Sequence, residues 1–76
     1  MTAAAAQDLA RLPVKEAGQV ARKIARLERG LVGDVKRLVN HESAYRLRSG
    51  NFRVLFDVEG DSVVIKKIGM RRDVYD

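Results

Sequence analysis

The hydrophobic spacing of the chain changes once, close to Gly33. On the N-terminal side, apolar residues recur at every third or fourth position, which is the period of an amphipathic helix. On the C-terminal side, apolar and polar residues alternate, which is the period of a half-buried strand. Because each pattern leaves one apolar face to be covered, the two halves must pack on each other. The sequence therefore predicts a single α+β domain over residues 1–76.

Local signals give the bounds of the expected elements. Pro13 separates two helices, because the residue before a proline avoids the helical region. The helices are expected over residues 3–12 and 14–29, and the strands over residues 44–49, 52–58 and 62–68. Tight turns at Gly50-Asn51 and at residues 59–61 join the strands, and residues 34–43 connect them to the helices. The predicted architecture is an N-terminal α-hairpin packed on one face of a small three-stranded antiparallel sheet.

Composition excludes several classes of function. The chain has no cysteine and one histidine, His41, so neither a thiolate zinc site nor a multi-histidine metal site is expected, and no cofactor is expected. It carries no glycine-rich phosphate loop or paired-carboxylate site, which argues against a small-molecule substrate. No apolar run reaches the ~20 residues of a membrane span, so we expect a cytoplasmic protein without a membrane partner. The net charge of +5 favours an acidic partner such as nucleic acid or the ribosome.

Three arginines cluster in the first expected hairpin. If Gly50-Asn51 is a two-residue loop, Arg48 lies directly opposite Arg53, and Arg46 lies on the same face of the sheet. Like charges placed opposite each other destabilise a sheet, so Arg53 is expected to cost stability and to need a functional reason.

The same register extends to the third expected strand. It places Lys66 and Ile68 on the arginine-bearing face, where Asp57 is the one acid expected nearby. One interpretation is a solvated face whose charges discourage edge pairing. The other is a binding surface for a phosphodiester, which guanidinium groups contact through paired hydrogen bonds.

Two stretches carry a resemblance to a known family. YRLRSGNFRVLF at residues 45–56 and IGMRRDVY at residues 68–75 together resemble the RelE branch of the RelE/ParE toxin superfamily. DLARLP at residues 8–13 and GDVKRL at residues 33–38 fit the pattern and order of that family. The resemblance implies a RelE-like fold, although we do not expect the leading strand that usually precedes the first helix. We expect the sheet edge that this strand would cover to be open.

The resemblance also implies a function. RelE-like toxins of type II toxin–antitoxin systems are ribosome-dependent mRNA endonucleases (mRNA interferases) that inhibit translation, act on mRNA in the ribosomal A site, and are silenced by a cognate antitoxin. The catalytic residues implied by position are Arg46, Arg48, Arg53, Arg71 and Tyr75. Lys66 and Arg72 are expected to bind RNA. Cleavage without a metal is expected to proceed by attack of the RNA 2′-hydroxyl on the adjacent phosphate.

Two alternatives remain at this point. A ParE-like protein would share the fold and inhibit DNA gyrase by binding it. A degenerate toxin would have lost activity and kept only antitoxin or nucleic-acid binding. The strand arginines and the C-terminal tyrosine favour the RelE-like interpretation.

Overall fold

The computed structural model describes residues 1–30 and 33–70. In this part of the chain, two helices precede a four-stranded antiparallel sheet in which the strands are neighbours in chain order. The elements are α1 (Ala3–Ala10), α2 (Val14–Leu27), β1 (Val35–Arg37), β2 (Tyr45–Ser49), β3 (Phe52–Glu59) and β4 (Ser62–Met70). The predicted α+β class, with helices on one face of an antiparallel sheet, is confirmed.

Both helices bury the apolar side that their spacing predicts. Thr2 begins α1, and its hydroxyl accepts a hydrogen bond of 3.1 Å from the Ala5 N–H, as an N-cap residue does. Ala5 is fully buried in α1, and α2 buries three residues of its stripe. The buried core cluster joins these residues to inward strand residues: Ala5, Val20, Ile24, Leu27, Leu47, Val54, Phe56, Ile65 and Ile68.

The strand β1 was not predicted, and the expected count of three strands is wrong in this respect. It forms within residues 34–43, which the sequence pattern assigned to a connector. In β1, Val35 pairs with Leu47 and Lys36 with Arg46. The Leu38 N–H continues the pairing with a bond of 2.8 Å to the Ala44 carbonyl. A strand of three residues is too short to show a clear alternation of apolar and polar positions.

The β2–β3 hairpin has the predicted register. Arg48 pairs with Arg53 around the two-residue loop, and Tyr45 pairs with Phe56 at the other end. The Tyr45 and Phe56 rings stack on the core side with centroids 5.3 Å apart. Gly50 has a φ of +58°, which fits the glycine at the first central position of a type II′ turn.

A β-bulge in β4 corrects the expected placement of Ile68. Leu55 pairs with Lys67, whereas the next residue, Phe56, pairs with Ile65, so Lys66 is the extra residue. The extra residue reverses the alternation beyond it, because side chains change face at every step of a strand. Ile68 therefore lies in the core rather than on the arginine-bearing face.

The outer edge of β4 is closed in part by the N-terminal segment. The Thr2 N–H donates to the Ile65 carbonyl at 3.0 Å, and the Asp8 carboxylate accepts from the Ile68 N–H at 3.1 Å. The expectation of an open edge is therefore wrong at these groups, which Thr2 and Asp8 satisfy. Within the described residues, no helix is long and apolar enough to cross a membrane.

Candidate functional site

The side of the sheet turned away from the core carries most of the basic strand residues. We call it the arginine face, defined by the residues that alternate with the core positions of the four strands. β1 contributes Lys36, which pairs with Arg46 and was missed because β1 was not predicted. The arginine face includes Lys36, Arg46, Arg48, Arg53, Leu55, Asp57, Lys66 and Lys67, with Val64 opposite Asp57 and Gly69 opposite Arg53.

Arg46 lies near the centre of this face and is deeply buried. The residue is only 5% exposed, with Lys36 paired on one side and Leu55 on the other. Its Nε and Nη1 atoms are buried, and no group in the described part of the chain forms a hydrogen bond with them. Buried donors of a charged group that lack hydrogen bonds are costly, so Nε and Nη1 have unused capacity to hold an anion.

Arg48 is the accessible member of the arginine cluster. Its side chain is 53% exposed, and its Nε lies 3.3 Å from Oδ2 of Asp34. The other oxygen of Asp34, Oδ1, lies 3.7 Å from Nη1 of Arg46. Asp34 is thus an acid at the arginine face that the sequence pattern did not reveal, because it adjoins the unpredicted strand β1.

Arg53 is buried and bonded to the hairpin turn. The residue is 6% exposed, and its Nη1 donates hydrogen bonds of 2.9 Å to the carbonyls of Gly50 and Phe52. The expected stability cost of Arg53 is therefore opposed by hydrogen bonds that the sequence did not predict. Its charge does face Arg48 across the ladder, but its guanidinium also satisfies carbonyl groups around the turn.

Lys66 and Lys67 line a cleft at the far side of the same face. The cleft has a volume of about 460 Å³, and buried Leu55 contributes to its lining. Its opposite wall is the loop over residues 40–43, where Nδ1 of His41 accepts a hydrogen bond of 3.1 Å from the Ser43 N–H. Because the bulge leaves both lysines on this cleft, the structure places Lys66 where the sequence predicted and adds Lys67.

Comparison with known proteins finds relatives in sequence and in structure. No family model matches the chain. Toxin RelE3 of Methanocaldococcus jannaschii is 33% identical over 43 residues, which are 57% of this chain and 49% of that protein. The matched region thus spans about half the length of this curated relative. The crystal structure of a RelB–RelE antitoxin–toxin complex from Methanococcus jannaschii matches with a TM-score of 0.80 and 23% identity, covering 99% of this chain and 93% of that chain.

This chain has a RelE-like fold. The structural match confirms the predicted RelE-like fold, and the sequence match confirms the resemblance identified from the hairpin and the motifs around it. Because the structural match covers nearly the whole chain, the RelE-like fold includes the helices as well as the sheet.

The RelE-like fold brings together part of the expected site. Arg46, Arg48 and Arg53 share one face of adjacent strands, with Lys66 at its margin. The other expected site residues, Arg71, Arg72 and Tyr75, lie outside the described residues. Their roles stay predictions that follow from the resemblance.

The described part of the site can bind an anion through its own basic side chains. Residues 1–30 and 33–70 contain no group of three or more histidine, aspartate or glutamate side chains arranged to hold a metal ion. Asp57 is engaged structurally, since its Oδ1 accepts a hydrogen bond of 2.6 Å from the Ala44 N–H. What the arginine face offers chemically is fixed positive charge and guanidinium donors.

Proposed function

We propose that this RelE-like chain is the toxin of a type II toxin–antitoxin system and that it cleaves mRNA on the ribosome. The curated relative is a toxin, and the matching structure is an antitoxin–toxin complex, which supports a cognate antitoxin as partner. The arginine face supports RNA as the ligand. The cleavage reaction and the ribosome are inferred from the family resemblance.

One observation carries the assignment of a phosphodiester to this face. Arg46 is buried, its Nε and Nη1 form no hydrogen bond with any described residue, and Arg48 follows two positions later on the same face of β2. A phosphodiester brings a negative charge and two non-bridging oxygens that accept hydrogen bonds from guanidinium groups. Its binding would satisfy Arg46 in a way that an uncharged ligand could not.

The proposed reaction begins with attack of a 2′-hydroxyl on its own adjacent phosphate. The P–O bond to the 5′ oxygen of the next nucleotide breaks, which leaves a 2′,3′-cyclic phosphate and a free 5′-hydroxyl. Arg46, Arg48 and Arg53 would stabilise the charge that develops on the phosphate oxygens. Guanidinium groups stay protonated in proteins, so they are poor general bases. Proton transfer is therefore assigned to the tail residue Tyr75, and Arg71 would stabilise charge as the strand arginines do.

Substrate positioning would supply much of the remaining acceleration. Holding the 2′-hydroxyl in line with the bond that breaks lowers the barrier without any change in the acid–base groups. A ribosome that presents mRNA in a fixed conformation would provide this alignment. An antitoxin would silence the toxin by covering the arginine face with its own acidic residues, which compete with RNA for the same guanidinium groups.

Arg48→Ala provides the direct test. Arg48 is half exposed, so its truncation should leave the fold intact. Arg37→Ala is the matched control, because Arg37 is exposed and pairs with Tyr45, on the other side of the sheet from Arg46. The assay measures new 5′ ends on mRNA in a reconstituted translation system. We expect the wild type and Arg37→Ala to cleave and Arg48→Ala to lose about a hundredfold in rate.

Other outcomes would redirect the assignment. Stimulation of gyrase-dependent DNA cleavage by the wild type, without mRNA cleavage, would establish the ParE-like alternative. Binding of RNA or antitoxin without either activity would establish a degenerate toxin. Equal cleavage by Arg48→Ala and the wild type would show that the arginine face is not part of the active site.

A further inference from the structure

We propose that Asp34 is an internal competitor for the RNA phosphate site. In the free protein its carboxylate occupies the position between Arg46 and Arg48, and it must leave when a phosphodiester binds. The inference rests on the proposed function and adds a regulatory residue to that same site. Asp34 would set how tightly the arginine face binds RNA.

The contacts of Asp34 imitate those of a phosphate. Its two oxygens form ion pairs with two different guanidinium groups. Oδ2 lies 3.3 Å from Nε of Arg48, and Oδ1 lies 3.7 Å from Nη1 of Arg46. The two non-bridging oxygens of a phosphodiester can make the same bridge between neighbouring arginines. The carboxylate and the phosphate therefore require the same position.

The contact of Asp34 with Arg46 is weaker than the contact that a bound phosphate would make. A distance of 3.7 Å is too long for a hydrogen bond, and Nε and Nη1 of Arg46 have no hydrogen-bond partner among residues 1–30 and 33–70. Asp34 thus neutralises charge near Arg46 without satisfying its donors. A phosphate that approached closely enough to bond these atoms would replace a weak contact by charge-assisted hydrogen bonds.

The Asp34 side chain can leave without disturbing the sheet. Its backbone is held, because the Asp34 carbonyl accepts a hydrogen bond of 2.9 Å from the Arg48 N–H. Its side chain is 53% exposed and can rotate into solvent. The ion pair with Arg48 is half exposed on both sides and therefore weak, and the contact with Arg46 is long at 3.7 Å, so RNA would have to displace only weak interactions. The exchange needs only a side-chain rotation at the margin of β1.

The test measures the affinity of a single-stranded RNA whose 2′-hydroxyls are methylated, so that it binds without being cleaved. Asp34→Asn removes the charge and keeps the shape, and we expect it to bind this RNA about three- to fivefold more tightly than the wild type, since the two weak ion pairs with Arg48 and Arg46 are lost. Asp34→Ser, which shortens the side chain, should show the same gain. Fluorescence anisotropy at fixed salt gives the dissociation constants.

Asp61→Asn is the matched control for net charge. Asp61 is exposed in the β3–β4 turn, at a distance along the sheet from β1, and it changes the formal charge by the same amount. Its RNA affinity should equal that of the wild type. In the Arg48→Ala background, Asp34→Asn should lose most of its gain, because the shorter of the two ion pairs of Asp34, the one with Arg48, is already absent.

The outcomes separate this inference from the proposed function. RNA binding by the wild type with no gain in Asp34→Asn and Asp34→Ser, or an equal gain in Asp61→Asn, would overturn the role of Asp34 alone. Weaker binding by both Asp34 variants would show that Asp34 organises the arginines for RNA, which also overturns competition. If neither the wild type nor any variant binds RNA, the proposed function fails and the inference fails with it.

Discussion

The carboxylate of Asp8 accepts a hydrogen bond of 3.1 Å from the backbone N–H of Ile68, sixty residues further along the chain. This bond ties α1 to the outer edge of β4. Thr2 contributes at the same edge, where its N–H donates to the Ile65 carbonyl. The Asp8 side chain and the Thr2 backbone thus form hydrogen bonds with β4 backbone groups that a neighbouring strand would otherwise pair with. The edge is less available for pairing with another chain than its strand length suggests.

Asp8→Ala should destabilise the protein by about 1–2 kcal/mol, because it leaves the partly buried Ile68 N–H without its acceptor. Asp8→Asn is the control, since its amide oxygen can still accept the bond while the charge is removed. Both free energies of unfolding are measured by urea denaturation. A variant Asp8→Ala as stable as the wild type would show that water replaces the carboxylate at this edge without cost.

Arg53→Ala should lower the free energy of unfolding by about 1.5–3 kcal/mol, the range for hydrogen bonds that involve a charged group. The physical reason is the pair of bonds from its Nη1 to the carbonyls of Gly50 and Phe52. Charge repulsion from Arg48 acts in the opposite direction and is the smaller effect. Thermal denaturation followed by circular dichroism shows which effect is larger, because loss of the hydrogen bonds lowers the melting temperature and relief of the repulsion raises it.

Arg53→Lys is the informative companion to that variant. It keeps the positive charge opposite Arg48 but loses the planar guanidinium fork. If the bonds to the turn dominate, Arg53→Lys should be nearly as unstable as Arg53→Ala. A melting temperature that rises in Arg53→Ala would instead show that like-charge repulsion dominates.

The hairpin register was predictable because a two-residue loop leaves only one way to pair its strands. That register is enough to place Arg46, Arg48 and Arg53 on one face of the sheet. The helices were predictable for a similar reason, since their buried residues follow the period of 3.6.

The features that were missed depend on long-range partners rather than on local pattern. β1 is stabilised by pairing with β2 and is too short to show a period. The bulge at Lys66 is invisible in the sequence, because KK at residues 66–67 fits either alternation. The sequence around Asp34 gives no sign of its ion pairs, because only the position of β1 beside β2 brings Asp34 to Arg46 and Arg48.

Gly33→Ala should destabilise the protein more than Gly50→Ala. Both glycines have positive φ, +125° at Gly33 and +58° at Gly50, so an added side chain strains the backbone by roughly 1–3 kcal/mol at either site. At Gly33 the new Cβ would also lie 3.3 Å from Cδ1 of Leu47, whereas at Gly50 it would meet no described atom within 4 Å. Leu47 is fully buried and has little room to move.

Chemical denaturation of the two alanine variants tests this order. Gly50→Asn serves as a control, because asparagine is accepted at the positive-φ positions of primed turns better than alanine is. It should recover part of the stability lost in Gly50→Ala. Equal losses in Gly33→Ala and Gly50→Ala would indicate that the Leu47 contact is relieved by a backbone shift.

Lys66→Gln should weaken RNA binding to the same extent for all RNA sequences and reduce its dependence on salt. Lys66 and Lys67 are exposed and line one cleft beside the buried Leu55, and under the proposed function they would contact the RNA backbone rather than its bases. Each phosphate contact of a single-stranded RNA releases counterions and adds about 0.7 to the slope of log affinity against log salt concentration. We therefore expect the slope to fall by about 0.7 in Lys66→Gln and by a similar amount in Lys67→Gln.

Lys15→Gln, which removes an exposed charge from α2, should leave the slope unchanged. An equal change in all three variants would mean that RNA responds to the net charge of the protein and not to the cleft that the bulge creates.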